Sequence, residues 1–526
     1  MFMRVIIIGQ HPIVNDLVRQ YEDKGYNVEL QQDISASEVC LNNYDEMFLL
    51  SGSNEDEKSL VFLAEAASTY KVDEHKGRRM ICHLLLQSRE TLKMLQGCDL
   101  CDAIKARIDV YPFTLDDVWS QSIVLDREAI GITSQKHVHL VVFGMGEIAE
   151  SVAIHAAHVA HYPNYTRNHN LRTRITFVSA DAERESEAFV KRYQHLFDNS
   201  FYRVVKLSDT IAVSKFHRPI YDGNREDFVD VEWEFVEAEY ENADLRKKLQ
   251  VWAESQKQLL TLVFAEKDGN KNLSHALVLP NAIFANQIPI YLYSQGEIPL
   301  PDFPGIRLFG LQNKGYDTRM PLVEMAKSVK YIYEQCYKEN IEDWSGQVFF
   351  PVEIDNEERE RLWASESSLK RQSCISNAMS IPSKMRSIGL EENDWDKFYD
   401  LSQEEIEILS EVEHNRWSVE ELIHGFRPCT DEEDRAITAD VAKQKGAYKS
   451  RMIHYDLRAY NELRPDGTGK SVKVYDWCLC SSLPLIVKFL SEKKESFSEK
   501  KDFLSEKKES FSEKEETLSD EKGGQT

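Results

Sequence analysis

The chain's strongest constraint is a break at Gly144. The apolar run His139 to Phe143 stops there, and Gly144-Met145-Gly146-Glu147-Ile148-Ala149 follows. Apolar residues then return at helical spacing through Val152, Ile154 and Ala157. A short buried-strand run, a glycine turn and an amphipathic helix predict a strand-turn-helix unit, which buries its apolar face only inside a layered α/β fold. The same rhythm occurs earlier. Val5 to Ile8 ends in Gly9, helical spacing follows at Ile13, Leu17, Val18 and Tyr21, and Gly25 stops that helix before Val28 and Leu30. Met47 to Leu50 and Met80 to Leu85 read as further strands. Strands alternating with helices predict parallel, doubly wound sheets.

The predicted organisation follows from where that rhythm restarts and fades. Residues 1–135 form a degenerate Rossmann-like unit, and 136–345 a second one with later strands at Ile175 to Val178, Leu260 to Phe264 and Ile288 to Tyr293. The second carries an acidic stretch, Glu226 to Asp244, with nine Asp and Glu residues among apolar ones, which reads as a solvated surface helix or hairpin. Residues 346–399 read as a helical connector and 400–490 as a small, mainly helical domain. In 491–526 a charged seven-residue repeat ends each time on one apolar residue, without the second core position of a coiled coil, so a frayed helix or a disordered tail is expected.

The glycine pattern carries chemistry. Gly144 allows the tight turn, Gly146 lets a pyrophosphate approach the backbone, and Ala149 lets helix and strand pack closely; with Glu147 these open the helix N-terminus. Ser179 and Asp181, at the end of the next strand, are the candidates for contacting a ribose. The implied cofactor is NAD(H) or an adenine nucleotide. In the first unit His11 and Val14 stand at the corresponding glycine positions, which predicts a structural unit without dinucleotide, or one in which His11 meets a phosphate directly.

Both units resemble the N-terminal nucleotide-binding domain of potassium-uptake regulators, the RCK or TrkA-N family. The resemblance rests on the strand-glycine turn, on Gly25-Tyr26-x-Val28, and on the loop Leu50-Ser51-Gly52 running to Asp56. Phe264-Ala265-x-x-Asp268 with Asn272-Leu273 plays a similar part in the second unit. It implies nucleotide binding and assembly as a homodimer, although this sequence carries no pore.

Further along, Glu413-His414-Asn415-Arg416-Trp417, Gly425-Phe426, Met452-Ile453-His454-Tyr455-Asp456-Leu457 and Leu483-Pro484 closely resemble the ryanodine-receptor (RyR) repeat domain of bacterial proteins. Phe426 replaces that pattern's second Trp, and Ile453-His454-Tyr455 its Val-Pro-Tyr. The resemblance implies a regulatory, ligand-sensing domain. Helical spacing puts His414, Trp417 and Glu421 on one face. Glu413, His414, Arg416, Trp417, Arg451, Tyr455 and Asp456 are the expected ligand-binding residues: Trp417 and Tyr455 offer stacking surfaces, and Arg416 or Arg451 a forked contact to phosphate. The competing reading of Trp417 and His414 is core packing.

Charge bounds the partners. With 64 Lys+Arg against 89 Asp+Glu, the net charge of -25 opposes a nucleic-acid-binding face. No apolar run is long enough to span a bilayer, so a cytoplasmic protein without membrane insertion is expected. The nine cysteines are scattered, and Cys98-x-x-Cys101 has no second ligand pair, so no metal is expected. Taken together these features predict a non-catalytic sensor of a nucleotide-like small molecule that acts on a downstream effector. An NAD(P)-dependent oxidoreductase and a structural scaffold with a docking tail are the alternatives.

Overall fold

The computed structural model describes residues 4–32, 40–50, 52, 56–72, 79–126, 128–207, 211–219, 226–298, 305–313, 320–338, 353–390, 401–437, 441–465 and 471–487. The seven-residue repeats of the tail lie outside the described residues, as do Asp33, Ser51 and 53–55.

The first sheet has five strands, β1 (Arg4–Ile8), β2 (Asn27–Gln31), β3 (Glu46–Leu50), β4 (Met80–Leu85) and β5 (Ile108–Phe113), in the order β2-β1-β3-β4-β5. All of its pairings are parallel. Helices α1 (Val14–Asp23), α2 (Asp56–Thr69), α3 (Arg89–Gly97), α4 (Asp102–Lys105) and α5 (Leu115–Ser120) connect and flank the strands. Residues 5–8 and 47–50 are fully buried, which is why these runs read as continuous rather than alternating. Strand β5 contains Pro112, which lacks an N–H for a ladder and is tolerated at the sheet's edge.

The second sheet has eight strands: β6 (His137–Phe143), β7 (Thr173–Ser179), β8 (Phe201–Leu207), β9 (Ile211–His217), β10 (Val231–Glu237), β11 (Gln258–Phe264), β12 (Ile290–Tyr293) and β13 (Ile306–Phe309). Their order is β13-β12-β11-β6-β7-β10-β8-β9, and only the β8–β9 pairing is antiparallel. The neighbours β11 and β6 mark the point where chain order reverses, the crevice in which open α/β sheets bind ligands. Helices α6 (Glu147–Val159), α7 (Asn164–Arg167), α8 (Ala182–Arg192), α9 (Gln194–Asp198), α10 (Ala243–Glu254), α11 (Gly269–Leu277) and α12 (Asn281–Ala285) belong to this unit. The arrangement of both sheets is consistent with Rossmann-like units.

The acidic stretch is not a surface hairpin. Its residues 231–237 form β10, paired on both sides inside the sheet. Trp233 and Phe235 are fully buried on one face, against Phe177, Phe189 and Phe197. On the other face Glu232 meets Arg174, and Glu234 meets Arg203 at 3.0 Å and Lys248 at 2.8 Å. Burial raises the proton affinity of Glu234, but Lys248 and Arg203 outweigh it and hold the carboxyl at about 2. The alternation of the strand was present in the sequence; the cations that neutralise its acidic face come from distant elements.

The C-terminal part is helical: α13 (Met320–Lys338), α14 (Asn356–Ser365), α15 (Ser368–Ser387), α16 (Gln403–Ile423), α17 (Asp431–Ala436), α18 (Val441–Lys449) and α19 (Lys473–Ser481), with a two-residue ladder between β14 (Arg427–Pro428) and β15 (Ile453–His454). Ser402 and Glu405 form a reciprocal capping box that starts α16. Among the described residues no helix is long and apolar enough to cross a membrane.

Candidate functional site

Backbone geometry at the end of β6 leaves the N-terminus of α6 open. Gly144 has φ +98°, a conformation that side chains rarely adopt, and turns the chain away from the strand. Gly146 is the N-cap of the 13-residue helix α6, with no side-chain cap on the helix's first N–H groups. A Cβ built on Gly146 would meet no atom within 4 Å, so the approach to those donors is clear. Ala149 is completely buried and lets α6 lie close on the sheet. These features fit the backbone contacts of a nucleotide phosphate.

The side chains around the turn are more acidic than the glycine pattern suggests. Glu147 is exposed in the first turn of α6. Asp116 and Asp117 arrive from α5, which packs on α6; Ser151 donates to Asp117 Oδ1 at 2.8 Å. Burial, then Asp117 and Glu147, push the Asp116 carboxyl up to about 6, against the opposing influence of Arg89 and Lys267. At the end of β11, Glu266 accepts the Tyr240 hydroxyl at 2.7 Å and lies 3.3 Å from where a Gly144 Cβ would be. Exposed Lys267 follows it in the chain and is close enough to Asp116 to lower that carboxyl's proton affinity.

Ser179 ends β7, next to β6, and its hydroxyl donates to Glu185 at 2.6 Å. Asp181 is exposed and paired with Arg184 at 2.9 Å. Glu185 therefore joins Ser179 at the end of β7, while Asp181 faces the surface. The first unit differs in detail. A Cβ on Gly9 would lie 2.2 Å from the Leu50 carbonyl, and His11 Nδ1 accepts the Ile13 N–H at 3.3 Å.

Behind the turn, α6 continues into a charged junction. Glu150 is buried and accepts the Tyr193 hydroxyl at 2.8 Å; it is paired with Arg89 at 3.1 Å and with Arg192. Lys93 donates to Tyr193 at 2.7 Å, and burial, then Arg89, bring its ammonium down to about 8. At its far end α6 reaches α16, where the His158 and His424 rings are 6.4 Å apart.

On α16 the motif divides into two faces. Glu413 and Arg416 are sealed in the interior. Arg416 contacts Glu413 through Nε and Nη2 at 2.9–3.0 Å and Glu420 through Nη1 at 2.8 Å. Glu413 also accepts Asn377 at 2.6 Å and pairs with Lys384. Burial raises the proton affinity of Glu413, but Arg416 and Lys384 outweigh it and hold the carboxyl at about 2. These side chains satisfy one another and tie α16 to α15, so neither is presented to a ligand.

The other face gathers aromatic rings. Half-buried Trp417 lies edge-on to His454 at 4.7 Å and tilted on His414 at 5.4 Å. His414 Nε2 is 2.9 Å from the Arg458 carbonyl, and Nδ1 is 3.5 Å from Asp476. Burial opposes the His414 charge, but Asp476 and the Arg458 carbonyl outweigh it and raise its proton affinity. Tyr455 is buried between Lys445 and Arg458, whose cations sit 4.5 and 4.6 Å from its ring centroid. Asp456 pairs with Lys445 at 3.0 Å. Arg451 stands apart on the surface, 3.9 Å from Glu433, which already holds Arg427 through two bonds.

Thus the fold brings half-buried Trp417 against His454 and, through His454, near Asp456; it buries His414 as deeply as Glu413 and Arg416, places Tyr455 in a separate buried cluster with Cys429 and Ile453, and leaves Arg451 outside. Asp116, Asp117, Glu185, Tyr240, Glu266 and Lys267 join the glycine turn although sequence reasoning did not find them. Glu266 and Lys267 come two and three residues after the strand run Leu260 to Phe264, so the end of that strand was the available signal for them. Asp116 and Asp117 carry no such signal. No family model and no curated protein matches the chain.

Proposed function

We propose that this chain is a non-catalytic, cytoplasmic, ligand-sensing regulator in which the second α/β unit binds an adenine nucleotide or NAD(H) and the C-terminal helical domain reads its occupancy. The observation that carries this reading is the path of α6. Its first turn forms the open glycine cradle, and its last turn packs on α16, the helix that carries the motif resembling an RyR repeat. In the bound state the α6 N–H groups and Lys267 hold the phosphate, and Ser179 with Glu185 holds the ribose. Glu147 and Asp116 oppose a bare pyrophosphate, so ADP or ATP accompanied by its divalent cation is favoured over NAD(H). Trp417, His454 and Asp456 border the RyR-like domain's own small-molecule surface, a reading supported by the edge-on Trp417–His454 contact and the 4.0 Å approach of His454 to Asp456. Assembly as a homodimer through the α/β units belongs to the same reading, by resemblance.

Hydrogen exchange on the full chain, with and without Mg-ADP, tests the coupling. Protection should rise at residues 144–159 and extend to α16. Protection confined to residues 144–150 would separate binding from sensing, and unchanged exchange throughout would remove the nucleotide from the account.

A further inference from the structure

A cleft of about 130 Å³ lies between the β5 edge of the first sheet and helices α13, α14 and α15; of the residues gathered at the glycine turn it shares Asp117. An apolar cavity of about 150 Å³ accommodates a benzene ring, so this space suits one ring. Tyr111, Phe113 and Trp363 contribute aromatic wall, and the Trp363 indole N–H is already bonded to the Tyr111 hydroxyl at 3.1 Å.

The charges that line the cleft are engaged elsewhere. Arg371 directs Nη1 to Asp109 at 3.2 Å, Nε to the Trp363 carbonyl at 3.0 Å and Nη2 to the Ala364 carbonyl at 3.2 Å. His83 Nε2 is 2.6 Å from Glu46, and Asp117 accepts from Ser151. Three carboxamides remain. Gln96 donates to Gln372 at 3.3 Å, which leaves one acceptor oxygen and one NH2 group without a partner among the described residues. The Gln121 side chain has no hydrogen-bond partner among the described residues. Exchanging amide O and N by a flip preserves this inventory of donors and acceptors.

From this combination we infer that the cleft is a second ligand site, distinct from the glycine turn, which takes a single uncharged ring bearing an amide or imide edge. The aromatic and aliphatic walls cover the faces of the ring, and the glutamines of α3, α15 and the α5 C-terminus read its donors and acceptors. A carboxylate on the same ring would lose hydration without gaining a free cation. The location, between an α/β unit and a helical layer, is a common one for small-molecule sites.

Calorimetric titration of the full chain with benzamide, uracil, benzoate and toluene tests the assignment. Benzamide and uracil should bind, with benzoate and toluene at least about tenfold weaker. The double variant Gln121→Leu/Gln372→Leu should weaken benzamide about tenfold, equivalent to ~1.4 kcal/mol, while leaving toluene unchanged. Val110→Phe, which fills the cleft from its wall, should abolish binding of benzamide. Gly146→Val should leave benzamide affinity as it is, which separates this site from the nucleotide site. Equal affinity for benzoate and benzamide, benzamide binding that survives both changes at the cleft, or no binding of benzamide or uracil at millimolar concentration would overturn the assignment.

Discussion

The glycine turn at 144–149 and the motif helix at 413–417 use polar chemistry in opposite ways. At the turn the backbone donors of α6 are uncapped and open, and the carboxylates around them come from three separate elements. On α16 the charges close on one another inside the core, with Arg416 locked between Glu413 and Glu420 at three- and four-residue spacing. A charged residue in a distinctive motif is therefore as able to specify packing as binding. What separates the two is whether its partners lie within the fold.

Removing one member of the buried network is the strongest way to test that contrast. Glu413→Ala strands Lys384 in the interior and leaves Arg416 with Glu420 alone, and should destabilise the chain by about 3–5 kcal/mol in urea unfolding. A loss below ~1 kcal/mol would return Glu413 to the list of ligand-facing groups.

The pH dependence of stability should show the two kinds of buried carboxylate pulling in opposite directions. Glu413, held at about 2 against a usual 4.5, contributes stability that is present above about 4.5 and lost as pH falls toward 2. Burial raises Glu411 and Glu421 to about 7, in Glu421 helped by Glu420; their contribution is present below 4.5 and lost as pH rises through 7. Buried His139 and His454, held neutral by burial, pull the other way as pH rises toward 6.5, so the test is differential: between about pH 4.5 and 7 the urea midpoint of Glu421→Gln should fall less, or rise more, than that of the parent. An unchanged slope in that variant would contradict the assignment.

A smaller effect divides the two glycines of the turn. Gly144→Val forces a branched side chain to φ +98° beside Glu266 and should cost about 1–3 kcal/mol of stability. Gly146→Val meets open space and should change stability by less than about 1 kcal/mol. Thermal unfolding of the pair checks this ordering, and equal losses would mean that the cradle is packed rather than open. The smallest effect belongs to Arg451→Ala, within about 0.5 kcal/mol in stability and without change in affinity for Mg-ADP, because its side chain is exposed and Glu433 is already held by Arg427.

The layered fold was legible where one segment contained its own explanation. The runs Val5 to Ile8 and His139 to Phe143 and the turn after Phe143 all express local physics. The strand at 231–237 was misread because its glutamates are neutralised by Arg174, Arg203 and Lys248, which the fold supplies from elsewhere. The inward face of α16 was hidden for the same reason: Lys384 and Asn377 come from α15. At the glycine turn the sequence exposed the backbone of the site, while Asp116, Asp117 and Tyr240 required the packing of α5 and the order of the second sheet.

Calorimetry of Mg-ADP binding to the parent chain, Gly146→Val and His11→Ala tests the central claim most directly. The account predicts that the parent and His11→Ala bind alike, because His11 already caps its own turn through the Ile13 N–H. Gly146→Val should lose binding at least tenfold while remaining folded. Intact binding in Gly146→Val together with loss in His11→Ala would place the nucleotide in the first unit and contradict the account.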